Sequence, residues 1–111
     1  MRVEAFNSTS IKVEWQPPSL KERNGIIRGY QVHYIEVDRH GQSTGRPQMY
    51  DLMDGDKYQV MLAKLKPDTW YQVRVAAYTR KGDGQRSPAR RVKTKGAGEE
   101  GSLVFRRWPG L

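Results

Sequence analysis

Apolar and polar residues alternate in short segments along most of the chain. Val3 and Ala5, and then Ile11, Val13 and Trp15, are apolar positions separated by polar ones. A period of two residues is the pattern of a β-strand that buries one face. The same period predicts seven short strands, at about 3–5, 11–15, 29–37, 48–53, 58–65, 71–78 and 89–94.

The segments between these strands carry residues that end strands or favour turns. Pro17 and Pro18 close the second strand, because proline cannot donate to a sheet ladder. The polar stretch 38–46 contains two glycines and predicts a hairpin-like connection, 20–25 predicts an exposed loop, and 81–84 predicts a tight turn. No stretch sustains the helical period of 3.6 residues. The pattern therefore predicts an all-β, seven-stranded antiparallel β-sandwich of the immunoglobulin-like type.

Length and composition fit one such domain. The chain has 111 residues, and a β-sandwich of about 100 residues would use nearly all of them. Cysteine is absent, so packing alone must hold the core, without disulfides or a thiolate zinc site. We find neither a membrane-spanning apolar run nor the pattern of a signal peptide, and we expect the chain to be a segment of a longer protein.

The stretch Leu65 to Val75, LKPDTWYQVRV, resembles the leucine, proline, threonine and tyrosine pattern that opens strand F of fibronectin type III domains. Further matches, in the order and spacing of that family, are Trp15 with Pro17 and Pro18, Asn24-Gly25 with Ile27 before Gly29-Tyr30, and Gly82, Gly84 and Ser87. The resemblance covers about Arg2 to Thr94 and implies a domain at 1–94. It also implies that the Tyr71 hydroxyl bonds back to the preceding loop while its ring joins the core.

Within this family, three stretches are similar to repeats of LAR-type receptor protein tyrosine phosphatases. They are Asn7 to Thr9, Ile27 to Tyr34 and Ala76 to Gly84. Neural adhesion receptors of the immunoglobulin superfamily are the close alternative. The narrower resemblance implies a cell-surface receptor ectodomain. Phosphatase chemistry of this kind needs a cysteine nucleophile, which the chain lacks, so we expect no enzyme activity here.

Alternation and the family pattern together predict the structural core. Its predicted members are Trp15, Tyr30, Tyr34, Leu65, Tyr71, Val73 and Val75. Trp15 is the predicted centre, and we expect its truncation to cost about 3–5 kcal/mol, a large part of the stability of a small domain.

Both ends of the chain depart from the family pattern. The proline that usually precedes the first strand is missing, so we expect that strand to be short or frayed. The tail 95–111 has no place in one sandwich, and Ser102 to Pro109 faintly repeats the pattern of Ser10 to Pro17. It is either the truncated start of a following repeat or a splice-derived or vector-derived segment. An apolar tail of this kind, or an exposed strand edge, could support self-association.

The charge is strongly positive, with 20 Lys and Arg against 12 Asp and Glu and a formal net charge of +8. Alternation directs several cations and aromatic side chains to the outward face of the last two strands or beside it. The candidate glycan or partner face comprises Trp70, Arg74, Arg80, Arg86, Arg90, Arg91 and Lys93. It could dock a heparan-type glycan or an acidic protein, or could form only an internal ladder of arginines stacked on Trp70 and Tyr78. Nucleic acid is disfavoured, because no nucleic-acid-binding module is matched.

Other candidate chemistry is sparse. Asn7-Ser8-Thr9 is an N-glycosylation acceptor at a predicted turn, provided that the protein passes through a secretory compartment. His33 and His40 have no spacing for shared metal ligation, and Asp51, Asp54 and Asp56 lack the spacing of a known calcium loop. Lys81-Gly82-Asp83 is only a lysine-led version of an integrin-binding triplet. We expect no catalytic residue, metal or cofactor.

These observations favour a non-catalytic binding or spacer module of a cell-surface adhesion receptor, with neighbouring repeats of the parent chain as partners. Two alternatives remain open at this point. One is a structural repeat of an intracellular filament-associated protein, and the other is an accessory domain of a secreted enzyme. The fold alone does not choose between them.

Overall fold

A computed structural model describes residues 1–17, 26–84 and 86–96, with the side chain of Asp83 excepted. Two antiparallel sheets pack face to face. The three-stranded sheet has the order β1-β2-β5, with β1 at Arg2–Asn7, β2 at Ser10–Glu14 and β5 at Gln59–Leu62. The larger sheet runs from β4 (Gln48–Leu52) through β3 (Gly29–Val37) to β6 (Trp70–Thr79), and both β7 (Gly82–Asp83) and β8 (Arg90–Lys93) pair with β6.

The predicted all-β sandwich is confirmed. The segments β7 and β8 are two parts of the last strand, interrupted between Asp83 and Arg90, so that seven strands build the two sheets. No helix is present among the described residues, and accordingly none that could cross a membrane. The predicted loop 20–25, the Asn24-Gly25 motif and the tail from 97 onward lie outside the described residues.

The core lies between the two sheets, where inward-facing apolar side chains of both meet. Ile11, Val13, Val32 and Val73 are fully buried at its centre. Of the core residues expected from the sequence, Trp15, Tyr30, Leu65, Tyr71, Val73 and Val75 are buried, and Tyr34 is partly buried against them. The Trp15 and Tyr30 rings lie 5.1 Å apart between centroids, and Tyr58 meets Tyr30 edge-on at 6.1 Å.

Tyr71 fixes the connection between β5 and β6. Its hydroxyl oxygen accepts a hydrogen bond from the Lys66 N–H at 2.9 Å, while its ring is buried in the core. The buried Thr94 closes the same corner, because its hydroxyl donates to the Lys66 carbonyl at 2.6 Å and accepts from the Thr69 N–H at 3.0 Å. The chain leaves the domain beside this corner, where the Lys95 N–H donates to the Asn7 carbonyl at 3.4 Å and the Lys95 carbonyl accepts from the Asp68 N–H at 3.0 Å.

Two expectations about local structure are wrong. The first strand is not short, since β1 spans six residues and is paired with β2 from Arg2 to Asn7 despite the missing proline. The predicted turn at 81–84 lies earlier, at Arg80 and Lys81, because Gly82 and Asp83 already pair back onto Thr79 and Tyr78. Of the two glycines there, only Gly82 has a positive φ, of 126°.

Gly84 is required for a different reason. A Cβ added at Gly84 would lie 2.9 Å from the Ala77 carbonyl oxygen, which is closer than such atoms normally approach. The Gly84 N–H donates to that same carbonyl at 2.6 Å. Close approach of two backbone segments therefore explains this glycine, whereas backbone conformation explains Gly82.

Candidate ligand-binding face

The outer face of the larger sheet carries the candidate cations that strand pairing brings together. Arg74 of β6 is paired with His33 of β3, and on the other side of β6 Gln72 is paired with Arg91 and Trp70 with Lys93. Directly paired residues in an antiparallel sheet project to the same side. Arg74, Arg91 and Lys93 are exposed, and Trp70 is partly buried beside them. We call the surface formed by Arg74, Arg91, Lys93 and Trp70 the basic face.

Of the remaining candidate cations, Arg90 does not lie on this face, and Arg80 and Arg86 lie outside the paired strand segments that form it. Arg90 is paired with Val73, whose side chain is fully buried in the core, so the register directs Arg90 to the opposite side of the sheet, at its exposed edge. Arg80 lies in the turn that follows β6, and Arg86 lies in the segment between β7 and β8. Both are exposed. Side chains of adjacent strand residues project to opposite faces of the sheet, so Arg90 and Arg91 cannot both contact a ligand bound on one face.

The cations of the basic face differ in their ion pairing. The Lys93 ammonium lies 2.9 Å from the Asp68 carboxylate, which partly neutralises it. Within the described ranges, neither Arg74 nor Arg91 has a carboxylate partner. No arginine of the described ranges stacks on Trp70. Arg74 and Arg91 are therefore the two cations whose charge is least compensated.

Arg91 has a contact that sequence reasoning missed. A Cβ added at Gly41 would lie 2.9 Å from Arg91 Nη1, so the guanidinium packs against the β3–β4 connection at a glycine whose φ is 88°. Local hydrogen bonds stabilise this connection. The Asp38 carboxylate accepts from the Gln42 N–H at 3.0 Å and from the His40 N–H at 2.8 Å. These bonds, with that from Gln42 the largest contribution, hold the pKa of Asp38 below its ordinary value.

The same connection is also attached to the strand that precedes it. The Thr44 hydroxyl donates to the Glu36 carboxylate at 3.1 Å, and the Lys66 ammonium lies 3.0 Å from the other carboxylate oxygen. The hydrogen bond from Lys66, ahead of that from Thr44, lowers the pKa of Glu36. Arg91 thus lies against a loop of defined conformation, which reduces the side-chain freedom that binding would otherwise have to remove.

The outer face of the three-stranded sheet has the opposite character. Strand pairing places Arg2 beside Glu14 and Glu4 beside Lys12. Lys12 Nζ lies 2.9 Å from Glu14 Oε1, and this hydrogen bond lowers the pKa of Glu14. Arg2 Nη2 lies 3.8 Å from Glu4 Oε2. Positive and negative groups therefore balance on this face, whereas the basic face keeps uncompensated positive charge.

The other candidate residues have local explanations. His33 Nε2 lies 3.3 Å from Gln31 Oε1 on the outer face of β3, and Asp54 accepts the Asp56 N–H at 2.9 Å within its own turn. No group of histidine and acidic side chains that could hold a metal ion occurs among the described residues. The Lys81 N–H donates to the Thr79 hydroxyl at 3.1 Å in the turn between β6 and β7.

The Asn7-Ser8-Thr9 triplet forms the turn between β1 and β2. Asn7 ends β1 and is paired with Ser10, so Ser8 and Thr9 are the two turn residues. The Asn7 side-chain carbonyl accepts hydrogen bonds from the Thr9 N–H at 2.9 Å and from the Thr9 hydroxyl at 3.4 Å. Asn7 is half-buried, and Thr9 is exposed.

Comparison with known proteins gives consistent matches. The family model described as fibronectin type III domain matches residues 1–93. The chain is 47% identical over 97 residues to tyrosine-protein phosphatase Lar of Drosophila melanogaster, covering 86% of this chain and 5% of that protein. It is 42% identical to receptor-type tyrosine-protein phosphatase F of Danio rerio, covering 87% of this chain and 6% of that protein. The chain thus spans only a small part of the curated relatives that it matches.

Solved structures agree with these matches. The crystal structure of the FN5 domain of Drosophila Lar has a TM-score of 0.67 and 42% identity, with 86% of this chain and 91% of that chain covered. The fn3 domain of human contactin 1 has a TM-score of 0.68 and 26% identity, with 86% and 74% covered. The resemblance to LAR-type phosphatase repeats that was predicted from the sequence is confirmed.

Proposed function

Because this chain belongs to the fibronectin type III domain family, we propose that it is a non-catalytic binding and spacing module in the extracellular part of a cell-surface adhesion receptor of the LAR-type phosphatase class. Support comes from relatives named as receptor-type tyrosine-protein phosphatases, of which a segment of this size is about one twentieth. The neighbouring repeats of the parent chain are its constant partners, and it contributes separation between them together with one binding surface.

The observation that carries the binding role is the basic face. Arg91 lies beside Gln72, and Arg74 is two residues further along β6, so the two arginines are diagonal neighbours at roughly 7–8 Å between Cα atoms. Neither has an acidic partner in the described part of the chain, and Arg91 is held by its contact with Gly41. Two exposed arginines at neighbouring positions on one sheet face match a ligand with several anionic groups, because each guanidinium can donate two parallel hydrogen bonds to a sulfate or a carboxylate.

The ligand that fits this surface is a sulfated glycan of the heparan type. The net charge of +8 draws any polyanion toward the domain, but it is the uncompensated charge on one face that would orient a bound chain. A surface patch of an acidic protein partner would use the same two arginines. The balanced outer face of the three-stranded sheet offers no comparable attraction.

Binding to immobilised heparin across a salt gradient tests this proposal. The double substitution Arg74→Gln and Arg91→Gln removes two positive charges from the basic face. The matched control, Arg2→Gln and Lys12→Gln, removes two positive charges from the balanced face, so both variants have the same net charge. We expect the first variant to elute at clearly lower salt than the wild type and the control to elute close to it.

Two results would count against the proposal. Equal shifts of both variants would mean that net charge alone determines retention. Elution of the wild type well below physiological ionic strength would mean that the basic face has no glycan-binding role, leaving the domain as a spacer.

A further inference from the structure

Phe6 is an exposed aromatic residue at a position where strand pairing is irregular. It is 58% exposed. Ala5 is paired with Ile11 and Asn7 with Ser10, so Phe6 is the extra residue of a β-bulge and has no partner on β2. The paired residues of the same outer face are mostly charged, as with Glu4 and Lys12. A group that covered this ring would remove its apolar surface from water, which is favourable.

The group nearest along the chain is the Asn7 side chain. Its Oδ1 faces the turn, since it accepts both hydrogen bonds from Thr9. This fixes the plane of the amide and directs Nδ2 away from the turn. In the described part of the chain, Nδ2 makes no hydrogen bond. Nδ2 is the atom to which an N-linked sugar is attached, so the acceptor atom and an exposed aromatic ring belong to adjacent residues at the end of one strand.

We propose that Phe6 is the packing surface for the first sugar of an N-linked glycan on Asn7. This inference rests on the extracellular location in the proposed function. In the modification, Nδ2 forms a bond to C1 of the sugar, the bond from C1 to the pyrophosphate of a lipid-linked oligosaccharide donor breaks, and Nδ2 releases a proton. One face of a pyranose ring presents mainly C–H groups. This face of the sugar covers the Phe6 ring, and the contact removes apolar surface of the sugar and of the ring from water.

Asn7 also lies beside the end of the described part of the domain. The Lys95 N–H donates to the Asn7 carbonyl, so the chain leaves the domain beside the modified residue. A sugar on Asn7 would therefore be attached beside the backbone of Lys95.

A thermal comparison of four protein forms tests the packing. The full chain, with a cleavable secretion signal, is produced in glycosylating cells and trimmed enzymatically to a single N-acetylglucosamine, and the same sequence is produced in bacteria without the sugar. Both forms are also made with Phe6→Thr, which keeps a residue suited to a strand. We expect the sugar to raise the Tm of the wild type by about 3–6 °C and that of the Phe6→Thr chain by much less.

A matched control is Tyr50→Thr, which removes another exposed aromatic residue, on β4. The sugar should raise the Tm of this variant as much as that of the wild type. Equal increments in the wild type and in Phe6→Thr would overturn the packing, and absence of sugar on the secreted wild type would overturn the modification itself. Because the secretion signal is supplied, neither result depends on the location of the natural protein. Sugar missing only from protein taken from its native source would instead contradict the extracellular location.

Discussion

At the scale of single residues, Tyr71 is the clearest case of a side chain whose role was predicted from the sequence. The motif around it predicted a hydroxyl bonded to the preceding loop and a ring in the core, and both are present. The contact between Arg91 and Gly41 was not predictable in the same way. A motif encodes contacts within a short stretch, whereas this contact depends on how a separate connection closes over the sheet.

Tyr71→Phe isolates the hydroxyl of this corner. The ring stays in the core while the Lys66 N–H loses its acceptor, so we expect the free energy of unfolding to fall by about 1–2 kcal/mol. Urea denaturation measures the difference, with an unchanged m-value. Tyr50→Phe, at an exposed strand position, is the control and should change stability by less than about 0.5 kcal/mol. A Tyr71→Phe variant as stable as this control would show that the hydrogen bond contributes nothing net.

At the scale of strands, the alternation of apolar and polar residues predicted where the strands lie, but not the register in which they pair. The segment at 29–37 was predicted with the bounds that β3 has. Two adjacent residues such as Arg90 and Arg91 cannot face the same way, and only pairing with β6 shows that Arg91 points outward. The bulge at Phe6 was equally hidden, because a bulge is a property of two strands rather than one.

The hairpin from β6 to β7 provides a test at this scale. Gly82 has a φ of 126° and no atom within 4 Å of an added Cβ, so Gly82→Ala would act through backbone conformation alone. We expect a loss of about 1–3 kcal/mol in the free energy of unfolding. Lys81→Ala, at the exposed neighbouring turn residue, is the control and should be close to neutral. Equal stability of the two variants in urea would mean that the hairpin can relax without cost.

At the scale of the whole molecule, the outer faces of the two sheets differ in their balance of positive and negative charge. Composition predicted a positively charged protein, but which face carries the charge depends on pairing across the sheets. Some carboxylates form ion pairs, as with Glu14 and Lys12 on one face and Glu36 and Lys66 beside the larger sheet. On the basic face, Arg74 and Arg91 are exposed and have no carboxylate partner in the described part of the chain.

The same carboxylates predict how stability responds to acid. The pKa values of Glu14, Glu36 and Asp38 are lowered from ordinary values of 4.5, 4.5 and 3.8. A lowered pKa in the folded state means that the contribution to stability is fully present above the ordinary value and is lost as the pH falls through the folded value. We expect the Tm to be nearly constant above about pH 5 and to fall below about pH 4.5.

Glu36→Gln is the variant that tests this assignment. It removes the ion pair with Lys66 and one of the three lowered carboxyl groups. The fall in Tm on acidification should therefore be shallower than in the wild type. An identical pH profile would mean that the Glu36 carboxylate makes no net contribution at this exposed position.

The hydrogen bond between the Lys95 N–H and the Asn7 carbonyl affects how a pulling force would pass through the domain if it were one of several linked repeats. Lys95 lies beside Asn7, at the far end of β1 from Arg2, so tension applied between Arg2 and Lys95 would run nearly along the axis of that strand. The bonds that join β1 to β2 are then loaded in shear, and several must break together instead of one after another. Under such tension the load would fall on β1, the strand that the missing proline predicted to be short or frayed.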